Sequence, residues 1–437
     1  TDKFLESYIT YINPSWDGKY VALAIGNDLE DNEILVIIDV EAKKPLDYEL
    51  TNCIPSGLLG VSWLPDSSGI IYLWYPNKDD SSKGYRQKST AVLHKIGDKE
   101  NDLIPLLGYG FEDSPFKGLN DRPVIKVNND TSNYLIGYNV NTEQNWDAYY
   151  TEIKDFTKEK PNWKLLFKAD DKVLWSKNYF IGDDLYYLGA KTSDKYELIK
   201  KNIRTNEIET IASPPDDESF TGFIHAKENL YVISSKNGIE SKIYSVNSGE
   251  LEPLDLPIPA GNIEFINKCI TCNTIDLKID GWLEPTKNYA LNPILNEFQS
   301  YDFFNAASYG EFKTIKVKNI EVQSHDNKSI PLTILYDSSK AFNADTPTIL
   351  NAYGSYGDNV TPKFSVFNLS FVKKGGIFAV AHVRGGGEKG IDWYEDGKKS
   401  KKENGWKDYI SCSEYLINND YTSNDKLFGY AESAGAI

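Results

Sequence analysis

The pentapeptide Ala431-Glu432-Ser433-Ala434-Gly435 follows the apolar run Leu427-Phe428-Gly429-Tyr430, which predicts a strand ending in a sharp turn with a serine at its tip. That is the layout of a nucleophile elbow, the bend that lifts a serine hydroxyl above a sheet. Crowding at such a turn demands small neighbours; Ala434 and Gly435 supply them, and Ala431 stands where a glycine is usual. The competing reading is an ordinary helix N-cap serine. In enzymes built on an elbow, an acid and then a histidine follow the serine. Only Ala434, Gly435, Ala436 and Ile437 follow it here, so the activating pair is expected outside this stretch. None of the four histidines has the right place in the chain: His94 and His225 fall in strand-rich sequence, His325 in a hairpin turn and His382 at a strand end. Each reads as structural.

Two more constellations sit at predicted strand ends. Arg384-Gly385-Gly386-Gly387-Glu388 follows the apolar run from Ile377 to Val383. A glycine-rich loop after a strand can cradle phosphate, but no Lys-Ser/Thr pair follows it and the dinucleotide spacing is absent, so nucleotide binding is set aside. Ala352-Tyr353-Gly354-Ser355-Tyr356-Gly357 follows Thr348-Ile349-Leu350-Asn351. A buried structural tyrosine is the plain reading of Tyr353, and the chemical one is a phenol donating to a developing oxyanion beside the elbow. Cys269-Ile270-Thr271-Cys272 has the spacing of half a zinc knuckle, yet no second pair accompanies it, so neither a metal nor another cofactor is expected.

The elements that must position these residues change character along the chain. Up to about residue 300 the sequence is short β-runs rich in Tyr, Ile, Val and Leu between Asp, Asn, Gly and Ser turns. A polar turn leading into an apolar strand recurs at 16–22, 64–72, 129–135, 182–187 and 227–232, at intervals of about 45–65 residues. That is near the size of a four-stranded propeller blade, and a β-propeller is favoured over a β-sandwich. From about residue 306 the grammar becomes α/β. Residues 315–322 and 330–336 read as a hairpin, 348–353 and 377–383 as buried strands, 407–417 as an amphipathic helix and 427–430 as the next strand.

Composition agrees with a large folded protein. The 437 residues exceed one ordinary core, and 40% hydrophobic with 13% aromatic residues suffices for several. A net charge of −17 speaks against nucleic acid and anionic membranes, and no stretch approaches the roughly 20 apolar residues of a membrane helix. Four cysteines make no disulfide framework, which suggests a reducing compartment.

Taken together, Tyr353 to Gly357, His382 to Gly390, Trp393 to Lys398, Asn404 to Asp408, Glu414 to Ile417 and the Ser433 elbow resemble the prolyl oligopeptidase family in order and spacing over about 90 residues. Ser62 to Gly69 and Tyr72 to Pro76 resemble that family's propeller. The resemblance implies a seven-bladed β-propeller over residues 1–305 and the N-terminal part of an α/β-hydrolase domain over 306–437. It further implies that Ser433 is the acylated nucleophile, that the Ala434 backbone N–H and the Tyr353 hydroxyl form the oxyanion hole, and that Tyr356 walls the substrate pocket. The expected activity is hydrolysis of short peptides after proline by a cytoplasmic, monomeric enzyme. Cleavage after Lys or Arg is the runner-up; Thr361 and Lys363 stand where such enzymes tend to carry acids. A non-catalytic propeller with a degenerate elbow is the alternative from another class, because Ala431 and Ala436 replace glycines and Glu432 is larger than the usual occupant.

Overall fold

The computed structural model describes residues 7–27, 30–56, 60–77, 81–153, 160–227, 229–266, 270–301 and 309–436. Polar turns followed by apolar strands produce four-stranded sheets of consecutive strands, over residues 8–53, 62–108, 123–167, 173–212, 219–253 and 262–300. These six blades among the described residues compare with the seven that the family resemblance implies. The recurrent turn found in the sequence precedes the second strand of each of the first five: Tyr20–Asn27, Gly69–Trp74, Tyr134–Asn139, Asp184–Gly189 and Asn229–Lys236. Those strands are apolar because they lie inside; Gly69–Trp74 and Tyr134–Asn139 are buried along all but their last residue.

Packing and turns join neighbouring blades. Ala22, Leu35 and Ile37 of the first pack with Trp63, Ile70 and Tyr72 of the second, and Ile233 and Ile243 of the fifth pack with Leu277 and Ile279 of the sixth. The polar turn residues reach across: the Asp17 N–H donates to Ser67 Oγ (3.3 Å), and Asn129 Nδ2 donates to the Phe180 carbonyl (2.6 Å). The turns are therefore polar for a structural reason, since they satisfy polar groups of the next blade.

The chain divides into two compact units, residues 1–187 with 200–209 and 268–271, and residues 188–199 with 210–267 and 272–437. The second contains the α/β segment. Its strands are β1 (Ile315–Gln323), β2 (Ser329–Asp337), β3 (Thr348–Asn351), β4 (Ile377–Ala381) and β5 (Leu427–Tyr430), and its helices are α1 (Val366–Lys373), α2 (Ile391–Glu395) and α3 (Glu403–Asn418). They form one sheet in the order β1-β2-β4-β3-β5, antiparallel from β1 to β4 and parallel across β4, β3 and β5. Helix α3 covers one face with Cys412 and Leu416, both fully buried, against Leu332, Ile334 and Leu350. Helix α1 covers the other with Leu369 and Val372 against Phe378 and Val380, and Ser365 caps it by accepting from the Asn368 N–H (3.3 Å).

Among the described residues strand β5 is one edge of this sheet and β1 the other, and Phe428 and Tyr430 on β5 are exposed. Of the cysteines, Cys53 and Cys412 are free and buried and Cys272 is disulfide-bonded; Cys269 lies outside the described residues. Among the described residues no helix is long and apolar enough to cross a membrane.

Candidate active site

The carboxyl ends of β3, β4 and β5 carry the three segments singled out in the sequence, and in open α/β sheets this is the end at which ligands bind. Parallel pairing aligns the exits: Asn351 is level with Val380 on one side and Tyr430 on the other. Each strand then leaves the sheet through a turn built from small residues.

After β5, Ser433 opens a short 3-10 turn, Ser433–Ala436, closed by the Gly435 N–H on the Glu432 carbonyl (2.9 Å). The φ of Ser433 is +48°, in the left-handed region that a residue with a Cβ seldom enters, and its side chain is exposed. Backbone strain at an exposed serine after a parallel strand is the geometry of an elbow and not of a helix N-cap, where the residue is extended. Gly435 then lies flat on the β3 exit. A Cβ there would stand 3.0 Å from the Tyr353 Cα and carbonyl oxygen, so a larger residue would push the two turns apart.

Tyr353 is half-buried beside this turn. Desolvation, with Asp358 and Tyr356 adding to it, raises its phenol above the usual value, so at neutral pH the hydroxyl keeps its proton and remains a donor. Tyr356, on the same loop, is exposed with φ +56°. Beside the elbow is a cavity of about 480 Å³ whose lining includes Tyr353, Lys402, Trp406, Ala431 and Gly435. A second, of about 860 Å³, lies among Phe364, Phe367, Phe428, Tyr430 and Glu432.

The glycine-rich loop after β4 is structural. Its N–H groups are used inside the fold: Gly385 donates to Trp393 O (3.0 Å), Gly386 to Val383 O (3.4 Å) and Gly387 to Asn359 Oδ1 (2.9 Å). Gly385 adopts φ +99°, and a Cβ there would meet Gly354 O at 2.1 Å, so this loop and the Tyr353 turn touch backbone to backbone. Arg384 points inward and is 1% exposed. Its guanidinium donates to both oxygens of Asp408 on α3 (2.7 and 2.9 Å) and to Asp326 (2.6 and 3.1 Å). Burial alone would lower the Arg384 pKa, but these carboxylates raise it, and the guanidinium in turn holds Asp326 below its usual range.

The histidines are placed as the sequence suggested. His94 and His225 lie on blade strands, His325 Nδ1 sits 3.1 Å from Ser324 Oγ, and His382 Nε2 is 3.1 Å from Thr333 Oγ1. Sequence reasoning misses Lys402 and Ser355, which link the Tyr353 turn to the elbow: Lys402 Nζ donates to Gly354 O (2.8 Å) and Ser355 Oγ (2.6 Å), and Ser355 Oγ donates to Ala434 O (3.3 Å). A lysine among Lys398, Lys399, Lys401 and Lys402 carries no sequence signal that singles it out.

Comparison with known proteins agrees with this architecture. The model of the prolyl oligopeptidase N-terminal β-propeller domain matches residues 7–302, and that of the prolyl oligopeptidase family matches residues 362–437. A prolyl endopeptidase of Elizabethkingia meningoseptica is 27% identical over 435 residues, covering 96% of this chain and 57% of that protein. Protease 2 of Moraxella lacunata is 25% identical over 276 residues, covering 63% of this chain and 40% of that protein. In three dimensions, prolyl oligopeptidase B of Galerina marginata, solved with a 25mer macrocyclization substrate, superimposes with a TM-score of 0.86 at 19% identity, covering 98% of this chain and 61% of that one. This chain thus spans less than two thirds of each of these proteins. With the propeller model matching more than half of its residues and the elbow segment matched separately, the chain belongs to the prolyl oligopeptidase family.

Proposed function

We propose that this chain carries the nucleophile and the oxyanion-stabilising groups of a serine peptidase that hydrolyses short peptides after proline. The observation that carries the reading is Ser433, exposed and strained at φ +48° at the end of β5, with Gly435 seated on Tyr353. In this reading Ser433 Oγ attacks the peptide carbonyl while a histidine outside the described residues takes its proton. The carbonyl oxygen, now negative, is held by the Ala434 N–H and the Tyr353 hydroxyl. The amine leaves with the proton, and water resolves the acyl-enzyme by the same route. Tyr356 lines the pocket for the residue before the scissile bond. The enzyme is a monomer acting on short peptides without a cofactor. Two free thiols, Cys53 and Cys412, support a reducing, cytoplasmic setting, and the disulfide of Cys272 argues against it.

Cleavage after Lys or Arg is the second reading. Glu388 is buried with one carboxylate oxygen unpaired, and it is close enough to Asp358 to raise that group's pKa, after the larger effect of desolvation. Such a pair of acids suits a cationic side chain. Thr361 and Lys363 weigh against it.

A fluorophosphonate probe on the whole protein tests the catalytic reading: it should label Ser433, mapped by peptide mass, and Ser433→Ala should lose both label and turnover. A folded protein whose Ser433 stays unlabelled would instead support the non-catalytic propeller. Fluorogenic peptides ending in Gly-Pro or in Arg-Arg separate the two specificities.

A further inference from the structure

Lys402 differs from the lysines around it. Lys398 pairs with Glu395 (2.7 Å), Lys401 with Asp396 (2.8 Å) and Lys407 with Glu403 (3.4 Å). Lys402 turns inward and among the described residues has no carboxylate partner; its ammonium donates to the Gly354 carbonyl and the Ser355 hydroxyl. Burial lowers its pKa, as expected of a cation that gives up water without gaining an opposite charge. A residue placed at that cost needs a compensating role, and its two charge-assisted hydrogen bonds both end on the Tyr353 turn.

Donor chemistry fixes the direction of the link. An ammonium has no acceptor, so Ser355 Oγ can only accept from Lys402 and must send its own proton elsewhere. The acceptor it meets is the Ala434 carbonyl, 3.3 Å away. The chain of hydrogen bonds therefore runs one way, from Lys402 through Ser355 to Ala434. It joins the loop that carries the Tyr353 hydroxyl to the residue whose N–H is the other oxyanion donor.

We infer that Lys402, acting through Ser355, is a positioning residue that holds the Tyr353 turn in register with the elbow, so that the two oxyanion donors converge on one point. The inference rests on the peptidase reading above. It concerns geometry in the transition state and not substrate affinity, because neither side chain need touch the peptide.

The test uses the whole protein carrying Lys402→Cys, assayed before and after alkylation with 2-bromoethylamine, which rebuilds an ammonium at nearly the original reach. Displacement of catalytic groups by about 1 Å can cost about 100-fold in rate, so the cysteine variant should lose about 10–100-fold in kcat with KM little changed. Aminoethylation should return most of that loss, while wild type given the same treatment keeps its rate. Ser355→Ala, a smaller change, should lower kcat in the same direction, and adding it to Lys402→Cys should cost little more, as for two members of one chain. A folded Lys402→Cys enzyme with wild-type kcat, a loss that aminoethylation does not restore, or full additivity of the two substitutions would each overturn the inference. Wild type that fails to label with fluorophosphonate at Ser433 would instead sink the peptidase reading beneath it.

Discussion

Ser433 and Tyr353 stand in different relations to the sequence. The serine is legible because small residues must flank a strained turn and an apolar run must precede it. The tyrosine is legible only through its motif, since nothing in its own neighbours says that Gly435 will rest on its backbone. Lys402 and Arg384 are opaque: which lysine of a cluster turns inward, and which arginine finds two acids, is settled by packing between segments far apart in the chain. At this scale the proposed roles make a graded prediction. Tyr353→Phe removes one oxyanion donor and should lower kcat by about 10²–10³-fold with KM nearly unchanged. Steady-state kinetics with a single fluorogenic peptide decide it, and an unchanged rate would remove Tyr353 from the oxyanion hole.

Among the elements, hydrophobic period makes β1 to β5 readable to within two residues and α3 to within four at its start, while α1 and α2 escape. The sequence of α1, Val366-Phe367-Asn368-Leu369-Ser370-Phe371-Val372-Lys373, has no clear helical stripe, and only the capping Ser365 at its head betrays a helix. The tie between β4 and α3 is the Arg384–Asp408 pair, both partners buried. Asp408→Ala leaves the guanidinium with Asp326 alone and should cost about 3–5 kcal/mol, read from denaturant midpoints. Among the described residues strand β5 pairs with β3 alone, and its apolar Phe428 and Tyr430 are exposed. A polypeptide of residues 1–437 expressed by itself should therefore self-associate, and Phe428→Lys with Tyr430→Lys should shift it toward monomer in light scattering. If the double variant aggregated equally, some other surface would be responsible.

At the scale of the whole molecule the blade repeat is legible because the first five blades share one plan, a polar turn leading into the second strand. The sixth blade is not, since its second strand, Ile275–Asp280, follows Cys272-Asn273-Thr274, which holds no acid, whereas each of the other five turns holds at least one. Burial in the fifth blade brings the His225 pKa down to about 4. Its neutral form is favoured by folding, so the stability it contributes is complete above the unfolded value near 6.5 and falls as pH drops from there to about 4. The loss should reach about 3 kcal/mol. Denaturant midpoints at pH 7 and pH 5 should differ more in wild type than in His225→Phe; equal differences would mean that other groups set the acid response. The contact between Ile391 N–H and Asp194 O (3.1 Å) joins residues about 200 positions apart, whereas each blade closes on strands adjacent in the chain. During synthesis, then, blades can form as they leave the ribosome, while the β1-β2-β4-β3-β5 sheet must wait until β5 has emerged to complete its order. Loop-closure entropy makes that sheet the slow step, and the nascent chain spends its most vulnerable interval with finished blades and an unfinished sheet.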